Sequence, residues 1–368
     1  MPARVTAVQS GAPPPAVSKN FDPDAAAQPG SGIFGLPEDP AAARVHVLPV
    51  PFDATTSYRK GAARGPAAIL QASRQVELFD AGSTGSAGSA KPYLQGICML
   101  AADPRIAKLN DEATAMADRI IAVGGTIGKD KSLARDLERV NAIGAEVNAI
   151  VRAATEKILD AGKLPALVGG DHSAPFGAIQ AASQRFPGLG VLHFDAHADL
   201  REAFEGFQWS HASIMHNVTT RLPGVALLVQ IGIRDVGERE HEMILGSKGR
   251  IRTLFDGEWA RARLEGFNLR ELVKKRLELL PEKVYVSFDV DGLDPTLCPN
   301  TGTPVPGGLT WHETLLWIEE LAKSGRTIVG VDLNEVSPGA TDPEDDSWDA
   351  IVGARLLYRL IGAALAVG

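Results

Sequence analysis

Residues 189–199 read Leu189-Gly-Val-Leu-His-Phe-Asp-Ala-His-Ala-Asp199. A short apolar run passes directly into three ligand-type side chains at alternate positions. That is the pattern of a parallel strand, buried on both faces, whose carboxyl end carries a site. In extended backbone, side chains at i, i+2 and i+4 point the same way, so Asp195, His197 and Asp199 are expected on one side of the chain. Further along, the run 283–288 leads into Asp289 and Asp291 within Ser287-Phe-Asp-Val-Asp-Gly-Leu-Asp-Pro295, and the run 164–168 leads into His172 within Gly169-Gly-Asp-His-Ser173.

Carboxylates gathered in a partly buried site disfavour one another's ionisation, and a cation removes the conflict. Four aspartates and two histidines at three strand ends are enough to hold two divalent ions. The set is oxygen-rich and suits Mn²⁺, with Ni²⁺, Co²⁺ or Fe²⁺ also compatible; the lack of thiolates argues against structural zinc. A single Asp of this kind would more simply cap a helix or close a turn, but that does not explain ligands at three separate strand ends. An EF-hand loop fits poorly, because Gly292 follows the second Asp directly and no acidic residue fills the twelfth place.

Outward from these motifs, runs at 44–50, 97–100, 164–168, 189–194, 226–231, 250–254, 283–288 and 327–333 alternate with amphipathic stretches. This is the pattern of an α/β protein with an eight-stranded parallel sheet covered by helices. Leu137, Val140, Ile143, Val147, Ile150, Val151, Ala154 and Ile158 predict a helix over 134–161, with further helices at 310–324 and 347–365. No linker or charge block divides residues 44–368, which read as one catalytic domain, whereas residues 1–43, rich in Ala, Pro and Gly, read as a partly ordered extension. The Gly/Ser-rich stretch 81–90 is expected to be a loop.

The 368 residues carry a net charge of −8 with no basic cluster, which argues against nucleic acid as a partner. No apolar segment is long enough to span a bilayer. With two cysteines, Cys98 and Cys298, and no secretory h-region, a cytoplasmic location is expected.

The motifs Val168-Gly-Gly-Asp-His-Ser173, Phe194-Asp-Ala-His-Ala-Asp199, Ser287 to Pro295, Thr301-Gly-Thr-Pro304 and Glu335-Val-Ser-Pro338 resemble, in order, those of the ureohydrolase family of arginases and agmatinases. The resemblance implies a three-layer α/β/α sandwich and the hydrolysis of a guanidinium group to urea. It further implies that His172 and Asp199 complete one metal site, that His197 and Asp291 complete the other, and that Asp195 and Asp289 bridge both, with Asp199 orienting the attacking water. Glu335 is then the partner of the guanidinium in a bidentate pair. His211 is the proton shuttle on a mobile loop, and Thr303 lines the pocket. Asp332 reads as a buried structural carboxylate, Asp294 as a turn residue or one supporting the site from behind, and His193 as a residue supporting the site from behind. A homo-oligomer, trimeric or hexameric, is implied as well.

The chain departs from arginases where they hold the amino-acid head of their substrate. Arg201 stands in place of an asparagine that contacts the α-carboxylate, and Arg234-Asp-Val-Gly237 ends in glycine where an aspartate contacts the α-amino group. A guanidino compound other than arginine is therefore expected: guanidinobutyrate, guanidine or a related small guanidine or biguanide, ranked slightly above agmatine. Arg201 is expected either to attract a substrate carboxylate or to form a subunit salt bridge. The alternatives are a formimidoylglutamase-type hydrolase and a non-catalytic partner subunit of a ureohydrolase assembly.

Overall fold

The computed structural model of the protein describes residues 21–80, 91–340 and 347–366. The loop expected at 81–90 and the first twenty residues of the expected extension lie outside the described residues.

Eight strands form one sheet: β1 (Val45–Val50), β2 (Ile97–Met99), β3 (Leu164–Gly169), β4 (Leu189–Phe194), β5 (Val225–Ile233), β6 (Ile251–Phe255), β7 (Lys283–Asp289) and β8 (Thr327–Asn334). All pair in parallel, in the order β2-β1-β3-β8-β7-β4-β5-β6. Each expected run is a strand, displaced by a residue or two at its ends. Ten α-helices are described alongside: α1 (Gly65–Ser73), α2 (Pro104–Ile121), α3 (Lys131–Asp160), α4 (Phe176–Arg185), α5 (Ile214–Arg221), α6 (Glu238–Gly246), α7 (Asp256–Leu264), α8 (Leu269–Leu277), α9 (Trp311–Lys323) and α10 (Trp348–Leu365). The helix expected from residue 134 starts earlier, because the Asp130 carboxylate accepts the N–H groups of Ser132 and Leu133 and so caps α3. None of the described helices is long and apolar enough to cross a membrane.

Strand alternation divides the core into two layers. Leu192 and Phe194 of β4, with Val284, Val286 and Phe288 of β7, pack against residues of α1 and α7 to α10. Leu189 and Val191, with Tyr285, face residues of α2 to α6 on the other side. The result is a three-layer sandwich in which the central strands are covered on both faces, as a parallel sheet requires.

Sheet order determines where the site forms. The chain lays down β1 and β3, continues outward through β4, β5 and β6, and only then inserts β7 and β8 between β3 and β4. Four strand ends far apart in sequence thereby become neighbours, with Phe194 level with Phe288, Asp289 with Asn334 and Val168 with Leu333.

Part of the segment expected as an extension is built into the core. Ile33, Phe34 and Leu36 are buried. Phe34 adopts a left-handed φ of 59°, donates its N–H to Ser73 Oγ at 2.8 Å and sets its ring edge-on to Tyr358 with centroids 4.9 Å apart. Phe34→Ala should cost about 3–5 kcal/mol, the usual range for emptying a buried aromatic position, as read from the shift in chemical denaturation midpoint.

Candidate metal centre and active site

The loops after β3, β4, β7 and β8 meet over the middle of the sheet, but not as simple alternation predicts. Asp199 has a left-handed φ of 55°, and Val290–Gly292 is a 3-10 turn. The ligand sets therefore converge partly through extended backbone, with Asp289 ending β7 and His197 bridged in parallel to Asp235, and partly through tight turns. Gly292 permits the close approach: a Cβ there would lie 2.8 Å from the Asp195 backbone nitrogen. Arg234 fastens the same region, its guanidinium donating to the backbone carbonyls of Gly232, Asp291, Leu293, Val305 and Pro306.

All six expected ligands come together. His172 Nδ1 lies 2.9 Å from Asp195 Oδ2, 3.2 Å from Asp289 Oδ2 and 3.4 Å from Asp199 Oδ2. His197 Nδ1 lies 2.9 Å from Asp291 Oδ2 and 3.4 Å from Asp195 Oδ1. Asp195 thus faces both groups. The four aspartates are buried, and among the described residues only histidines pair with them. Burial, together with Asp291 and Asp195, pushes the Asp289 carboxyl well above the carboxylate range. Burial and Asp195 push Asp199 up to about 8.

The hydrogen-bond polarity around His172 tests whether a cation belongs there. Ser287 Oγ donates to Asp332 Oδ1 at 2.9 Å, an oxygen that also receives N–H groups from Phe288 and Asn334. With its one hydrogen so used, Ser287 Oγ accepts from His172 Nε2 at 2.9 Å. In the neutral ring the proton is then on Nε2, leaving a bare Nδ1 lone pair against three carboxylates. Such an arrangement holds only with a proton on Nδ1 or a cation among the four groups. The donor set therefore fits a divalent ion, and Asp332 and Ser287 fix the tautomer that binds it. Asp332 was legible only as a buried carboxylate. Ser287 was missed as a functional residue, although it lies two residues before Asp289 on the same strand.

Glu335 follows β8 with a left-handed φ of 64°. Its Oε1 accepts the His172 backbone N–H at 3.1 Å, while buried Oε2 has no hydrogen-bond partner among the described residues. Burial, with Asp289, Asp171 and Asp291 nearby, raises this carboxyl well above its ordinary value, so the site favours a cation beside it. A Cβ placed on Gly302 would lie 3.4 Å from Oε2 and 3.2 Å from the Arg59 carbonyl oxygen; glycine keeps that space open.

His211 begins a 3-10 turn capped by Ser210 and is buried. Its Nδ1 is 3.6 Å from Glu335 Oε1 and its Nε2 is 3.3 Å from Ser57 Oγ, a contact no motif announced. Burial and the charges of His197, His172 and Arg201 push its pKa down to about 4. Thr303 Oγ1 lies 3.4 Å from Asp291 Oδ2, and Asp294 closes a turn by accepting from Thr296.

Arg201 is half-exposed. It pairs with Glu240 at 3.5 Å and lies over the Phe204 ring, 5.0 Å from its centroid. Glu240 also accepts the N–H groups of Leu200 and Gly237. A Cβ on Gly237 would lie 2.9 Å from Glu240 Oε2 and 3.6 Å from Arg201 Nη2, so a side chain there would have to displace the Glu240 carboxylate. Arg201 and Gly237 thus meet through Glu240.

A sequence model of the arginase family matches residues 43–362. The N(1)-aminopropylagmatine ureohydrolase of Thermus thermophilus is 32% identical over 332 residues, covering 90% of this chain and 94% of that protein. The agmatinase of Pyrococcus horikoshii is 31% identical, covering 86% and 90%. Among solved structures, the proclavaminate amidino hydrolase of Streptomyces clavuligerus shares the fold with a TM-score of 0.67 at 23% identity, over 94% of this chain and 100% of that one. The agmatine ureohydrolase of Thermoplasma volcanium does so with a TM-score of 0.64 at 23% identity, over 89% and 91%.

Replacing Ser287 by alanine removes the acceptor that holds the His172 proton on Nε2. Affinity for Mn²⁺, measured by competition with a chelator, should fall roughly 10- to 100-fold, with the circular dichroism spectrum unchanged.

Proposed function

The chain belongs to the arginase family of hydrolases, and from that premise we propose that it is a two-metal ureohydrolase that cleaves a guanidino compound lacking an α-amino-acid head, giving urea and an amine or ammonia. The observation that carries this reading is the joint placement of two His/Asp groups sharing Asp195, with the unpartnered Glu335 Oε2 and His211 alongside. His172, Asp195, Asp199 and Asp289 would hold one ion, and His197, Asp195, Asp289 and Asp291 the other, Mn²⁺ or Ni²⁺ by donor chemistry. When bound, the pair supplies a water whose pKa is lowered towards neutrality, so that a nucleophile exists at physiological pH.

The protein groups do the rest. Glu335 Oε2 receives N–H groups of the planar guanidinium and orients its carbon. The neutral His211 imidazole is able to take up a proton and deliver it to the departing nitrogen. Its second nitrogen is tethered to Ser57, which fixes the direction of that transfer. Thr303 supports Asp291 beside the substrate.

The substrate tail follows from Arg201 and Gly237. Neither group that would hold an amino-acid head is present, and each lost charged hydrogen bond costs about 1.5–3 kcal/mol. Arg201 is already engaged by Glu240 and Phe204, so a carboxylate tail would have to compete with a buried acid. An agmatine-type amine or a small guanidine faces no such competition, and the two relatives above 30% identity named earlier are an N(1)-aminopropylagmatine ureohydrolase and an agmatinase. Guanidinobutyrate is the second reading, favoured by the exposed part of the Arg201 guanidinium.

Metal analysis after loading with Mn²⁺ or Ni²⁺ should give two ions per chain. Arginine should have the lowest kcat/KM in a panel with agmatine, guanidine and 4-guanidinobutyrate, and urea should be the product. Formamide from a formimino substrate would place the chain among formimidoylglutamases, and inactivity of the fully loaded protein would favour a non-catalytic subunit.

His211→Ala should lower kcat by about 10²- to 10⁴-fold with metal content unchanged, whereas Glu335→Gln should mainly raise KM. Full turnover by His211→Ala across the pH range would assign proton transfer to another group.

A further inference from the structure

The sheet register lines up five polar side chains beneath the site. Asp332, Ser287, His193, Gln230 and Thr253 are successive cross-strand partners on β8, β7, β4, β5 and β6. Asp332 and Ser287 serve His172. The other half of the row has no role in the chemistry described above.

His193 is fully buried, with Nε2 2.8 Å from Asp195 Oδ2. By distance alone it is a candidate ligand, since its ring atoms fall in one group with those of His172, Asp195 and Asp199. Hydrogen-bond polarity decides otherwise. The Ala198 carbonyl can only accept, so the Gln230 atom 2.8 Å from it is the amide nitrogen. In that orientation Thr253 Oγ1 donates to Gln230 Oε1 at 3.0 Å and anchors the other end of the amide. The amide nitrogen, 3.1 Å from His193 Nδ1, must then donate to it. A ring that accepts at Nδ1 carries its proton on Nε2, and that N–H points at Asp195.

We infer that Gln230, anchored by Thr253 and Ala198, holds His193 as a neutral Nε2–H donor that positions Asp195, and that His193 is not a metal ligand. Asp195 is then held from both sides, Oδ2 by His193 and Oδ1 by the His197 backbone N–H at 2.6 Å. A neutral donor orients the carboxylate shared by the two groups without cancelling the charge that attracts cations, which a lysine or arginine in its place would do. Hydrogen-bond partners behind a metal ligand commonly set its affinity in this way. The inference rests on reading the site as one for divalent ions, except for its tautomer, which is measurable without metal.

The full-length chain, metal-free and labelled with ¹⁵N-histidine, should show in a two-bond ¹H–¹⁵N spectrum one ring with Nε2 protonated and Nδ1 bare that disappears in His193→Gln. If the signal lost in His193→Gln belongs instead to a doubly protonated or Nδ1-protonated ring, the inference is overturned, whatever the metal affinity. Competition with a chromophoric chelator should show Mn²⁺ bound roughly 10- to 100-fold more weakly by Gln230→Leu at unchanged stoichiometry. His193→Gln, which retains an N–H for Asp195, should keep more affinity than His193→Leu. Wild-type affinity in Gln230→Leu would remove the relay, and loss of one ion per chain in both His193 variants would make His193 a ligand.

Discussion

Mutual repulsion among buried carboxylates is the constraint on which the arrangement at the centre of the sheet depends. Asp195, Asp199, Asp289, Asp291 and Glu335 are buried within one region, and among the described residues histidines alone pair with them. In low dielectric that grouping persists only if protons or cations are shared among them. The backbone holds them against this repulsion through left-handed turns at Asp199 and Glu335 and through the Arg234 guanidinium on five carbonyls. Strain and repulsion are thus concentrated in one place, as is common at functional sites.

The topology supplies the location. Because β7 and β8 enter between β3 and β4, the site is completed by the last strands of the chain. Both inserted strands carry polar residues in their interiors, and these continue across the sheet as a row of Asp332, Ser287, His193, Gln230 and Thr253. A polar row inside a parallel sheet is costly to the extent that its members go unsatisfied, and here Asp332 Oδ2 has no partner among the described residues. Here its hydrogen bonds set which nitrogen of His172 and of His193 carries a proton, so the floor of the site fixes the chemistry of the groups above it.

Much of this was legible in the sequence because it is local. Runs such as 189–194 and 283–288 form strands since nothing but a covered parallel sheet buries both faces, and His172, Asp195, His197, Asp199, Asp289 and Asp291 stand at or just after strand ends. The reason given for their convergence was incomplete: alternation explains their spacing, but turns at Asp199 and Val290–Gly292 bring them together. Arg201 and Gly237 were legible separately as departures from arginases. Their contact through Glu240, and hence the competition any substrate carboxylate meets, was not.

By itself the sequence determined the α/β class, the strand count and the family, because hydrophobic period and motif spacing are properties of short segments. The tertiary structure alone decided that β3, β8, β7 and β4 are neighbours, that Ile33, Phe34 and Leu36 belong to the core, and that Ser57 touches His211. Partners on other strands also decide which ring nitrogen of His172 and of His193 faces a donor or an acceptor. Those outcomes depend on register and on hydrogen-bond polarity between segments distant in the chain, and no pattern within one segment contains them.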